Sequence, residues 1–178
     1  MKRNIIGACV LLLSLNGCNG RPSLDFPSLK DHRASVFVFL APDCPLSQNY
    51  TLTLNNLHAQ FDGAMVAFRG VIAGVHYSDK EVDDFVRTYK IGFPVLRDRD
   101  LRLADFFDAR ATPEVFAVDS RGETIYRGAI DNWAVDLGQH RSVITAHYLM
   151  DALHSFIQDG TVQTRETRAV GCFIERNR

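Results

Sequence analysis

A short basic start, Lys2 and Arg3, leads into an apolar run over residues 5–15. Its length suits the hydrophobic core of an export signal and is too short to cross a bilayer as a helix. Residues 21–30 carry Pro22 and Pro27 and read as a tether. Residues 35–41 are almost continuously apolar and rich in Val and Phe, which predicts a strand buried on both faces. Pro42-Asp43-Cys44-Pro45 breaks that strand. Leu46, Tyr50, Leu54, Leu57 and Phe61 then recur at spacings of three or four, the period of an amphipathic helix. Residues 64–73 predict a second buried strand. Strand, helix and strand in this order predict a parallel, right-handed crossover.

Ser78 and Glu81 form a capping box for a second helix marked by Val82, Phe85, Val86 and Tyr89 and stopped by Gly92. Residues 93–96 predict a short extended piece and 101–107 a short helix. Residues 114–119 and 123–130 predict an antiparallel hairpin turning at Ser120-Arg121-Gly122. Residues 143–157 predict a last amphipathic helix, stopped by Gly160, and a polar tail follows. The sum is an α/β fold, one central mixed sheet flanked by helices on both faces. This order matches the thioredoxin fold with an extra helix and strand before the hairpin.

Over 178 residues, 46% hydrophobic and 23% charged content with a net charge of -1 suits one globular domain. Composition excludes collagen, disorder, a disulfide-dense mini-protein and a polytopic membrane protein. The chain has no Lys/Arg run, and phosphate binding needs a clustered basic face, so nucleic acid is not an expected partner. Leu15-Asn16-Gly17-Cys18 resembles the bacterial lipobox. The resemblance implies a signal peptide over 1–17, lipid on Cys18, and a membrane-anchored protein on the periplasmic side of the envelope. Asn19 stands where an inner-membrane retention signal places Asp, which favours the outer membrane. The expected organisation is signal 1–17, tether 18–34, domain 35–160 and tail 161–178.

Of the four Cys, Cys9 leaves with the signal and Cys18 takes the lipid, so Cys44 and Cys172 remain. An exported chain sits where disulfides persist. Cys44 follows a buried strand and precedes Pro45 at the first position of a helix, where proline is favourable. That puts Cys44 at an N-cap, partly exposed, with amides and the positive dipole end favouring its thiolate. Thr112-Pro113 stands just before a strand, a place that tolerates proline.

Phe37–Ser47, Thr112-Pro-Glu-Val-Phe116, Tyr126–Trp133 and Gly171-Cys-Phe-Ile174 together resemble the redoxin (AhpC/TSA-type) branch of the thioredoxin-like superfamily, in particular its bacterial exported lipoproteins. The resemblance implies Cys44 as the redox thiol and Pro113 as a cis-proline beside it. It implies protein thiols or disulfides, or an envelope electron donor, as partners, and no cofactor. Many relatives read Cys-x-x-Cys, whereas here Ser47 takes the second place. A dithiol mechanism needs another sulfur to release a mixed disulfide. Either Cys172 supplies it from the tail, or Cys44 works alone, or turnover is lost. Peroxiredoxins carry a Pro and a Thr/Ser where this chain has Phe37 and Ala41, which makes peroxidase activity the weaker expectation.

Two function classes follow: a cell-envelope thiol–disulfide oxidoreductase, or a redox-inert or Cu(I)-carrying thioredoxin-like module. Thiolates select Cu(I), but Ser47 denies the close Cys pair of copper carriers. His140, His147 and His154 recur every seven residues, too widely for an i,i+4 chelate, and no metal is expected there. Asp131, Asn132 and Trp133 either line a groove near Cys44 or form a structural turn. Arg110 and Arg127 are candidates for raising the potential at Cys44.

Overall fold

The computed structural model describes residues 29–176. The residues read as a signal, Cys18, and most of those read as a tether lie outside the described residues. Strand β1 (Ala34–Phe39) is buried at every position. Its alternation sends Val36 and Val38 into one core and Phe37 and Phe39 into another. It is parallel to β2 (Val66–Ala73), which is parallel to β3 (Val95–Asp98). On its other side β1 is antiparallel to β5 (Glu114–Asp119), and β5 to β6 (Thr124–Gly128). The sheet order is β3-β2-β1-β5-β6.

Helices α1 (Pro45–Phe61), α2 (Asp79–Thr88) and α4 (Tyr148–Asp159) pack on the Val36/Val38 face, contributing Leu54, Phe85 and Leu153. The capping box on α2 forms as expected: Ser78 accepts from the Glu81 amide, and Glu81 accepts from the Ser78 amide. Helix α3 (Arg102–Phe107) covers the opposite face. Six residues are too few for a helix stable by itself. It is held by Phe107, stacked on Phe116 with centroids 4.8 Å apart, and by Asp98, whose carboxylate accepts from the Leu103 and Ala104 amides. Burying one such Phe contributes about 1.5–3 kcal/mol. Leu29 already belongs to this core, so packing begins inside the span read as tether.

Three departures from the sequence reading have local causes. Helix α4 starts at Tyr148 instead of residue 143, because Asn132 Oδ1 accepts from the Thr145 and Ala146 amides and holds them in a loop. β-Branched Val143, Ile144 and Thr145 add little helical preference to oppose this. Strand β6 ends at Gly128, with φ +125°, where the tail crosses. A small hairpin, β7 (Ala134–Asp136) and β8 (Gln139–His140), occupies residues that had no element assigned.

The tail is a strap. Arg127 donates its amide to Arg165 O at 2.9 Å, and Thr167 donates to Arg127 O at 3.0 Å. A Cβ on Gly128 would lie 2.1 Å from Thr167 O, so glycine is what lets the strap approach. Further on, β9 (Cys172–Phe173) pairs antiparallel with β4 (Ala111–Thr112), with Thr112 opposite Cys172. A Cβ on Gly171 would lie 2.3 Å from Thr112 O. Arg176 closes the strap by donating to Ala109 O at 2.6 Å and pairing with Asp105. The segment read as a loose polar tail is therefore fastened along its length.

Candidate redox site

The end of β1 presents Cys44 as the cap residue of α1, in extended conformation with φ -82° and ψ 115°, ahead of Pro45. The turn leading to it is fixed by Cys44 N donating to Ala41 O at 3.2 Å and Gln48 Nε2 to Pro42 O at 2.7 Å. Ser47 is fully buried, and its hydroxyl accepts from the Ala41 amide at 3.2 Å. At the second Cys position of a Cys-x-x-Cys pattern, this chain has a side chain that pins the turn.

The Thr112–Pro113 peptide is cis. Its carbonyl oxygen lies 3.0 Å from Cys44 Sγ and accepts from the thiol when Cys44 is protonated. The buried Glu114 carboxylate accepts from the Arg110 and Ala111 amides at 2.8 and 3.2 Å, which shapes the loop around the proline.

Strand β9 carries Cys172 onto this turn, and the two sulfurs are 2.6 Å apart. Both are free thiols. Cys44 is only 1% exposed, not the partly exposed residue expected, because the strap that delivers Cys172 also covers it. Tyr77, Trp133 and Val170 complete the apolar surround.

The two thiols titrate in opposite directions. For Cys44 the largest single effect is burial, which opposes ionisation. It is outweighed by donors acting together: the Cys172 thiol, the Ser47 amide at the start of α1, the Cys172 amide and the Thr112 hydroxyl. The net shift is downward. The Ser47 amide makes no cap hydrogen bond of standard geometry and acts by its orientation toward the sulfur. Cys172 is pushed up to about 12, first by burial, then by bonding to Cys44 and by the charges of Cys44 and Asp43.

The other residues singled out in the sequence fall into place around this pair. Trp133 adjoins it, packing beside Cys44, and Asp131 stands behind, accepting from Tyr50 Oη at 2.6 Å and from the Trp133 amide at 2.8 Å. Asn132 faces away and ties down the start of α4. Arg110 is paired with Asp108 at 2.6 Å, and Arg127 lies between Glu114 and Glu166 at 3.7 Å each. Both line a neighbouring cavity of which Cys44 is not part. The three His are scattered: His140 stacks on Trp133, His147 stands just before α4 without a side-chain cap bond, and His154 contacts Gln60. Among the described residues no three or more His, Cys, Asp or Glu side chains gather into one cluster.

Tyr77 and Asp43 were not foreseen. The Tyr77 hydroxyl donates to the Asp43 carboxylate directly beside the pair, and burial, then Asp43, raises its pKa. Asp43 adjoins Cys44 in sequence, but nothing in the chain's pattern links it to a loop residue 34 positions away.

The family profile described as the AhpC/TSA family matches residues 10–127, more than half of the chain. The chain belongs to the AhpC/TSA family. This match ends ahead of the strap, so it includes Cys44 and Pro113 but not Cys172. No curated protein matches the chain. Among solved structures, a hypothetical protein from Sinorhizobium meliloti is similar with a TM-score of 0.73 at 23% identity, covering 83% of this chain and 82% of its own. An uncharacterized conserved protein from Geobacillus kaustophilus gives 0.72 at 20% identity, covering 85% and 82%. A structure from Chlorobium tepidum, described as that of a candidate thiol:disulfide interchange protein DsbE, gives 0.54 at 16% identity, covering 74% and 82%. The fold of this AhpC/TSA family member is thioredoxin-like, a mixed sheet between helices.

Proposed function

We propose that the protein is a thiol–disulfide oxidoreductase whose redox pair is Cys44 and Cys172. The observation that carries this reading is the 2.6 Å approach of the two sulfurs against the Thr112–Pro113 carbonyl. Cys44 supplies the nucleophilic thiolate, Cys172 the second sulfur, and Pro113 shapes the loop that faces them. Oxidation of the dithiol releases two electrons and two protons to a partner disulfide, and reduction is the reverse. AhpC/TSA membership supports a redox role. The thiol:disulfide interchange description of the Chlorobium tepidum neighbour is in keeping with it.

The proposed setting is the cell envelope, with the protein lipidated at Cys18 and held at the outer membrane. The basic start, the apolar run and Leu15-Asn16-Gly17-Cys18 support this. Its partners there are protein thiols and disulfides or an envelope electron donor. Family membership also favours peroxide as a second substrate. Against it, Ala41 places a methyl group where peroxiredoxins carry a hydroxyl.

The test is disulfide transfer from the oxidised mature protein to a reduced, unfolded protein with several cysteines. Wild type transfers its disulfide, whereas Cys44→Ser and Cys172→Ser do not. A wild type no faster than the double variant overturns the proposal. Peroxide consumption measured in parallel separates the second reading.

A further inference from the structure

The two sulfurs of the pair are not equivalent toward solvent. Cys44 is 1% exposed, enclosed by Leu46, Trp133, Val170 and Cys172. Cys172 is half-buried and forms part of the wall of a cleft of about 610 Å³ between the β2–α2 loop and β9. Cys44 does not line this cleft. The wall also carries Asp43, Glu81 and Glu175, with His76 paired to Glu175 at 3.2 Å. Among its described residues none is Lys or Arg.

We propose that partners bind in this cleft, that they exchange with Cys172 and not with Cys44, and that the cleft selects thiols carrying positive charge. The proposal rests on the Cys44–Cys172 disulfide of the preceding section and assigns its two sulfurs different tasks. A partner thiolate attacks Cys172 Sγ. The Cys44–Cys172 bond breaks, its electron pair leaves on Cys44 as a thiolate, and a partner–Cys172 disulfide forms. A second partner thiolate then attacks the partner sulfur of that mixed disulfide. This releases Cys172 as a thiolate, which takes a proton from water. Two partner thiols have become one disulfide, and the protein has become a dithiol. In the reverse direction Cys172 gives up its proton and attacks a partner disulfide, releasing one partner thiolate and forming the same mixed disulfide; the Cys44 thiolate then attacks it at Cys172, and the second partner sulfur leaves as a thiolate.

Access and leaving-group chemistry agree for the first step, in which the thiol of lower pKa, Cys44, departs. Exchange is faster at the sulfur that can be reached and when the departing thiol has the lower pKa. Cys172 is the residue of the pair that lines the cleft, and Cys44 is the one whose thiolate the site favours. The acidic wall adds selection by charge, because a cleft of one sign concentrates ligands of the other. An anionic thiol such as glutathione is disfavoured, and a cysteine flanked by Lys or Arg is favoured.

The test uses the full mature protein, oxidised and first mapped without reductant. It is then exposed briefly to cysteamine or to mercaptoethanesulfonate, quenched in acid and mapped by mass spectrometry. The expected result is a Cys44–Cys172 cross-link beforehand and adducts on Cys172 afterwards. Cysteamine should react about tenfold faster than the sulfonate at low salt, in the range of electrostatic effects on rates. The gap should narrow at high salt and in Glu175→Gln. Absence of the initial cross-link would overturn the underlying pair. A cross-link followed by adducts on Cys44 overturns the assignment of Cys172 alone. Equal rates for the two probes overturn the charge selection.

Discussion

Gly171→Ala isolates the placement of Cys172 from its chemistry. A Cβ there lies 2.3 Å from Thr112 O, 2.6 Å from Thr112 C and 3.0 Å from Thr112 N. All three are backbone atoms of β4, so no side chain can rotate out of the way. To restore ordinary contact at about 3.5 Å, the strap must retreat by roughly 1 Å. That removes the short β4–β9 ladder, including the Thr112 hydroxyl bond to Cys172 O, already long at 3.4 Å. Taking the loss as on the order of two hydrogen bonds of about 1 kcal/mol each puts it at roughly 2 kcal/mol. The reduced protein can let the strap go, whereas the oxidised protein must keep it in place. The cost therefore falls on the oxidised form and makes the disulfide easier to reduce. At about 30 mV per 1.4 kcal/mol, the potential should rise by roughly 40 mV. Equilibration in a series of thiol/disulfide buffers, followed by alkylation and mass measurement, reads this directly. An unchanged potential would show that the strap does not hold the pair together.

Other substitutions probe the rest of the arrangement. Gly128→Ala meets Thr167 at 2.1 Å at φ +125°, backbone that is essentially glycine's alone, whereas Gly160→Ala stands at φ +70° in the ordinary left-handed region with nothing within 4 Å. Denaturant unfolding should show a loss of about 1 kcal/mol for Gly160→Ala, the cost of left-handed backbone, and at least twice that for Gly128→Ala. Ser47→Ala leaves the buried Ala41 amide without its acceptor and should cost about 1–3 kcal/mol, read the same way. Cys172→Ala removes the foremost donor to Cys44, so ultraviolet thiolate titration should find the Cys44 pKa raised. The pH dependence of the reduced protein has a definite sign. Cys44, depressed in the fold, contributes stability that is present above its unfolded pKa and lost as pH falls through the folded one. Cys172, raised to about 12, contributes stability that is present below its unfolded value and lost as pH climbs toward about 12. Unfolding of wild type and the two single Cys→Ser variants across pH separates the two contributions.

The parts of this molecule that could be read in the sequence are those governed by local pattern. Val36 to Phe39, the 3–4 spacing from Leu46 to Phe61 and the Ser78–Glu81 box each report on neighbours a few residues away, and the elements they predict are present. Cys44 before Pro45 was legible for the same reason. The exposure of Cys44 was not, because what buries it is β9, whose two residues carry no strand pattern and pair only across Gly171. The start of α4 was missed because Asn132, more than ten residues upstream, takes up the amides of Thr145 and Ala146. Tyr77 and Glu175 reach the cleft from separate loops, and no periodicity relates them to Cys172. Long-range contacts of single side chains leave no trace in composition or spacing.

The central claim is that Cys44 and Cys172 form one redox pair. Non-reducing peptide mapping of the mature protein after mild oxidation addresses it most directly. The account predicts a single cross-linked species joining the Cys44 and Cys172 peptides, which disappears on reduction. Recovery of the two peptides only as separate free or mixed species, never joined, would contradict it and leave Cys44 a solitary thiol beneath an inert strap.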